Sequence, residues 1–90
     1  MAELDGTLLH VLTDKVAARA RGRLSPAERA EVLRIAQGLA CKEAASVAGL
    51  STQTIRTMRK FIYRKLGVAG SHEVLSALLQ LSLAMLAGSE

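Results

Sequence analysis

The chain has one cysteine, no tryptophan, one phenylalanine, one tyrosine and one proline among its 90 residues. A lone Cys41 builds no disulfide framework, and with only two well-separated histidines, His10 and His72, it completes no closed zinc site. That single thiol points weakly to a reducing compartment. Long apolar runs are missing too: the longest Leu-rich stretch, 74–87, is broken by Ser76, Gln80 and Ser82 and is too short to span a bilayer. The N-terminus lacks a signal-peptide form, because acidic residues precede its short apolar stretch and no cleavage-like ending follows. Asp14 and Glu43 stand apart, and neither a carboxylate pair, a nucleophile–base set nor a Gly-rich phosphate loop is present. No catalytic residue, cofactor, metal or membrane partner is therefore expected, and the chain is not expected to be an enzyme. Its expected place is the cytoplasm.

What remains is an aliphatic, moderately charged chain. Half of the residues are apolar, so a core must come from Leu, Val, Ile, Ala and Met. A chain this small buries only roughly 60–65% of its unfolded surface, so its stability is marginal and dimerisation would help. The formal net charge is +4, and it is localised. Between Ala44 and His72 stand five basic residues and no acidic ones, leaving the rest of the chain at −1. A smaller cluster, Lys15, Arg19, Arg21 and Arg23, follows the first apolar segment. Such blocks suit a polyanion, although a solvated helix face produces the same pattern.

Apolar spacing reads as helix throughout. Leu8, Leu9, Leu12 and Val16 make a stripe within 7–20, before Gly22. Ser25-Pro26 with Glu28 is a capping-box start for a helix to about Gln37, with Val32, Ile35, Ala36 and Leu39 turned inward. An Ala-rich helix fits 41–48 and ends at Gly49, suited to a left-handed turn. Ser51 caps a helix to about Leu66, where Gly67 stops it. A last helix runs from about Ser71 to Ala87. No segment alternates as a strand does, so the fold is expected to be all-α.

Two short helices joined by a Gly-containing turn, the second basic and Ser-capped, form a helix-turn-helix pattern. On a helical wheel Ile55, Ile62 and Leu66 mark the buried side, and Gln53, Arg56, Thr57, Lys60 and Arg64 stand opposite. Long donors on that stripe suit guanine edges and phosphates in a major groove, and the helix start suits a phosphate. The candidate DNA-binding residues are Ser51, Thr52, Gln53, Thr54, Arg56, Thr57, Arg59, Lys60 and Arg64.

The run Leu24-Ser25-Pro26-Ala27-Glu28-Arg29, Ala36-Gln37-Gly38-Leu39, Lys42-Glu43-Ala44-Ala45, Gly49-Leu50-Ser51, Thr54-Ile55-Arg56 and Ile62-Tyr63-Arg64-Lys65-Leu66-Gly67-Val68 resembles the LuxR/FixJ/GerE-type DNA-binding domain. The resemblance covers residues 24 to about 78 in unbroken register. It implies a four-helix transcription-factor domain, here with an extra N-terminal helix, in which helix 51–66 enters the major groove and helix 71–87 forms a dimer interface. Residues 1–23 then form an N-terminal extension and 24–90 the helix-turn-helix domain. The chain departs from the family pattern at several points. Glu31 stands where an aliphatic residue is usual, Ala44 and Ala48 where Ile and Leu are usual, Ala40 where a polar cap is usual, and Ser71 where Arg is usual. Phe61 occupies a commonly polar position. The core of this half is thinned, and the N-terminal helix is the expected filler.

The last helix carries two apolar stripes, one of Val74, Leu78, Leu81 and Met85 and one of Leu75, Leu79 and Leu86. Two stripes exceed what one small core covers, which suggests a two-fold dimer or a partner helix. The expected dimer-interface residues are Val74, Leu75, Leu78, Leu81 and Met85. The first helix either covers the last in cis, the preferred reading, or extends the dimer in trans. Phe61 packs on the N-terminal helix, touches a base methyl or meets a partner, the first being preferred. Cys41 reads as a small buried apolar residue rather than a redox sensor. Only about 23 residues stand before the helix-turn-helix here, so neither a receiver or ligand-sensing segment nor regulation by phosphorylation or a small ligand is expected within this chain. The function so read is a homodimeric, sequence-specific regulator of duplex DNA. The alternative is an antiactivator or adaptor that uses the same scaffold and its Leu-rich last helix to bind another regulator.

Overall fold

The computed structural model describes residues 6–88, with side chains described from residue 10 onward. Five helices follow one another: α1 (Gly6–Ala17), α2 (Pro26–Ala36), α3 (Cys41–Ala48), α4 (Thr52–Leu66) and α5 (Ser71–Leu86). No strand occurs among the described residues, so the all-α expectation holds.

Local signals account for most helix ends. Ser25 caps α2 through its side chain, which accepts from the Glu28 N–H at 3.1 Å, while Glu28 Oε1 accepts from the Ser25 N–H at 2.8 Å, closing the capping box with Pro26 in the first turn. Helix α3 has half of that device: Glu43 Oε1 accepts from the Ala40 N–H at 2.9 Å, and Ala40 offers no side-chain acceptor in return. Gly49 ends α3 in the left-handed region at φ 71°, and the next amide, of Leu50, donates to Ala45 O at 3.0 Å. Helix α1 stops at Ala17, short of the residue 20 expected from its stripe. The chain leaves the helix in time for the Arg21 N–H to donate to Lys65 O at 2.7 Å.

The main core gathers Leu12 and Val16 of α1, Leu24, Val32 and Ile35 of α2 and its approach, Ile62 of α4, and Val74 and Leu78 of α5. Helix α1 thus packs in cis, against α2 and α5. Leu8 and Leu9, placed on the same stripe, lie outside the described side chains. A separate, smaller cluster of Ala44, Ala45 and Ile55 joins α3 to the first half of α4. Helix α1 packs away from this thin cluster, so the expectation that it fills the thinned half is corrected. A polar bridge spans the region instead: Glu31, fully buried on α2, accepts from Arg34 Nε and Arg59 Nε, each at 2.7 Å.

The last helix also differs from expectation. Val74 and Leu78 are core residues of the protomer, and Leu81 and Met85 pack against that core. Four of the five expected interface residues are therefore turned inward, because α1 and α2 cover that stripe of α5. The exposed stripe is Leu75, Leu79, Leu83 and Leu86, with Leu79 60% and Leu86 80% exposed. Among the described residues no single helix is long and apolar enough to cross a membrane.

Candidate nucleic-acid interface

Helix α4 has no acidic residue and carries Arg56, Arg59, Lys60, Arg64 and Lys65. Packing sorts these cations. Ile55 anchors the first half of the helix in the α3 cluster and Ile62 anchors the second half in the main core. That orientation exposes Gln53, Thr54, Arg56, Thr57, Lys60, Phe61 and Arg64. Arg56, Lys60 and Arg64 follow one another at four-residue steps, about 6 Å apart along the axis. Among the described residues Arg56 and Lys60 have no hydrogen-bond or ion-pair partner, and Arg64 lies over the Phe61 ring at 5.6 Å from its centroid.

The start of the helix is built from side chains on that same exposed end. Ser51 takes an extended backbone at φ −76° and its Oγ accepts from the Thr54 N–H at 3.1 Å. Its hydroxyl also hydrogen-bonds the Thr54 hydroxyl at 2.8 Å. Gln53 Nε2 reaches Thr57 Oγ1 at 3.5 Å, a long contact between two exposed groups. Thr52 is half-buried, the least available of the polar residues at this end.

Arg59 departs from the expected set. It is only 5% exposed, donating from Nε to Glu31 Oε2 at 2.7 Å and from Nη2 to Leu39 O at 2.8 Å. Burial alone would lower its pKa, but the hydrogen bond and charge of Glu31 outweigh burial and raise it, so the guanidinium stays charged. Arg59 is thus an internal tie and is withdrawn from the candidate DNA-binding residues. Its position, four after Ile55 and three before Ile62, falls on the buried side of the helix. Glu31 beside Val32 and four before Ile35 does the same on α2. A carboxylate on one buried face and a guanidinium on another was the signal for this pair.

Phe61 is 49% exposed. It lines a shallow groove of about 370 Å³ with Ser51, Gln53, Thr54, Thr57 and Met58, all of α4 or its cap. The preferred placement of Phe61 on the N-terminal helix is thereby corrected: α1 is taken up by α2 and α5. Leu50, within the turn, is also exposed, and the turn is held by its backbone.

The second basic cluster sits by the opposite end of α4, about 20 Å from Ser51 along the helix axis. Lys65 Nζ donates to Arg23 O at 3.2 Å and to Glu28 Oε1 at 2.9 Å, clamping the α1–α2 connection there. Arg21, Arg23 and Arg29 line a groove of about 380 Å³, with Arg29 paired to Asp14 at 2.6 Å. Cys41 is half-buried at the start of α3, and His10 and His72 are exposed.

Helices α3 and α4, joined by the Gly49 turn and followed by an exposed basic line, define a helix-turn-helix domain. The model of the family "Bacterial regulatory proteins, luxR family" matches residues 23–78, more than half of the chain. The chain belongs to that family, and its class is that of DNA-binding transcription regulators. Searches of curated proteins and of solved structures find no match.

Proposed function

We propose that the chain is a sequence-specific regulator that binds duplex DNA as a homodimer, with the first half of α4 in the major groove. The observation that carries this reading is the line of Arg56, Lys60 and Arg64 beside Gln53 and Thr57, on an acid-free helix whose neutralised cations, Arg59 and Lys65, are turned away. Unpartnered long donors reach base edges and phosphates without first breaking an ion pair. The proposed contact residues are Ser51, Gln53, Thr54, Arg56, Thr57, Lys60 and Arg64, with Thr52 contributing its backbone at the helix start. In this role the protein acts on the nucleoid, in the cytoplasm.

Helix α5 supports the two-fold reading. Its exposed leucines, Leu75, Leu79, Leu83 and Leu86, recur at three- and four-residue steps and supply a self-complementary stripe. A two-fold pairing there presents two α4 helices to successive major grooves, about 34 Å apart, and so an inverted-repeat site. Selection of bound sequences from random duplex DNA by the purified protein tests both statements. A recovered palindrome supports them, and recovery of unselected sequence with only salt-sensitive weak binding counts against them.

The exposed leucines and half-exposed Phe61 also fit a second reading, an adaptor that holds another regulator. Co-purification of a stoichiometric partner together with sequence-independent DNA affinity would favour it. A symmetric footprint would exclude it.

A further inference from the structure

We propose that Glu31 and Arg59 are positioning residues: their buried bridge sets the angle and roll at which α4 presents its DNA-reading side chains. This rests on the reading that α4 reads DNA. Helix α4 is held at three successive points, Ile55 in the small cluster, Arg59 in the bridge and Ile62 in the main core. The two isoleucine contacts are apolar and non-directional. The first of them rests largely on Ala44 and Ala45, whose short side chains resist rocking of the helix poorly.

The bridge is directional where those contacts are not. Arg59 spends two arms of one planar fork on two places, the Glu31 carboxylate within α2 and the Leu39 carbonyl at the corner before α3. The other Glu31 oxygen is occupied by Arg34 Nε at 2.7 Å, which fixes the carboxylate that Arg59 must meet. Arg56 stands three residues before Arg59 and Lys60 one after it, so a roll of α4 carries both. With a helix about 10–12 Å across, a roll of about 20° moves a side-chain tip by about 2 Å. That is enough to break a hydrogen bond to a base edge.

Stability does not require this device. A buried ion pair replaced whole by apolar side chains of similar size commonly leaves a protein as stable or more so, because two desolvation costs vanish together. Orientation and stability are therefore separable in one variant that replaces the whole bridge, Glu31→Leu with Arg34→Met and Arg59→Met. That protein is expected to fold with an unfolding midpoint no lower than wild type. Residual dipolar couplings of the free protein are expected to report a changed angle between α2 and α4. Affinity for the selected palindrome should fall at least tenfold and its ratio to non-specific DNA should shrink, while the salt dependence of binding stays unchanged because no phosphate contact is lost. Arg59→Lys, which keeps the charge and loses the fork, is expected to move the same readouts in the same direction.

Wild-type angle or wild-type discrimination in the folded triple variant, or in Arg59→Lys, overturns the proposal. Loss of about one counterion from the salt slope overturns it as well, since Arg59 would then contact phosphate. A triple variant that fails to fold also overturns it, by making the bridge a stability element. If the wild type itself selects no sequence, the DNA reading fails, and the α2–α4 angle in the free protein still decides whether the bridge positions α4.

Discussion

Glu28 and Lys65 join the first turn of α2 to the last turn of α4. Lys65 Nζ donates at 2.9 Å to Glu28 Oε1, the same oxygen that accepts from the Ser25 N–H at 2.8 Å. One carboxylate thus completes a helix cap and links two helices through residues 37 apart in sequence. It also neutralises one cation of α4, which concentrates the unpaired charge on Arg56, Lys60 and Arg64.

The same carboxylate makes stability depend on acid. The Ser25 N–H holds the Glu28 carboxyl below its usual value of 4.5; burial opposes this, and Lys65 adds to the lowering. A lowered pKa in the folded state means that the stabilisation is complete above pH 4.5 and is lost as pH falls through the lowered value. Glu28→Gln is expected to cost about 1 kcal/mol at neutral pH. Its thermal midpoint should then fall less steeply than that of the wild type in melts between about pH 7 and pH 3.

Gly49→Ala isolates the cost of the helix-turn-helix turn. A β-carbon there meets nothing within 4 Å, so its penalty is the left-handed backbone at φ 71°. The expected loss is about 1–2 kcal/mol, with Gly49→Asn losing less because Asn tolerates that region. Denaturant unfolding at equal slope measures it, and a loss near zero would show that the turn relaxes to another conformation.

The cations of α4 divide by burial, and their variants should divide with them. Arg56→Ala and Lys60→Ala are expected to keep the wild-type melting midpoint and weaken DNA binding, the salt slope dropping by about one for a pure phosphate contact. Arg59→Ala is expected to destabilise the fold by about 3 kcal/mol, since it leaves Glu31 buried with Arg34 alone. Thermal melts paired with anisotropy titrations at several salt concentrations separate the two classes.

Helix α5 offers the corresponding contrast between its two stripes. Leu79→Lys, on the exposed side, is expected to leave monomer folding within about 0.5 kcal/mol and to abolish self-association. Leu78→Ala, on the core side, is expected to cost about 2–5 kcal/mol. Sedimentation equilibrium of both variants checks the assignment, and a Leu79→Lys protein that remains dimeric places the interface elsewhere.

Helix number, type and most boundaries were legible along the chain because their causes are local. Ser25-Pro26 with Glu28, the Gly49 and Gly67 stops and the Ser51 cap act within a few residues of themselves. The end of α1 is less legible: its stripe lies within 7–20, whereas the helix stops at Ala17 and the Arg21 N–H beyond it donates to Lys65 O, far along the sequence. The exposed polar stripe of α4 was legible for a similar reason: Ile55 and Ile62 mark its opposite side by period alone.

What the sequence by itself determined was an all-α chain of five helices with a basic, capped fourth helix in a helix-turn-helix. Tertiary structure decided which of two equally apolar stripes of α5 is core, because α1 and α2 are what cover Val74 and Leu78. It also decided that Arg59 belongs to the interior. Periodicity places a residue on a face, but only the neighbour across that face determines whether a charge there is solvated or, as with Glu31, met by an opposite charge and buried.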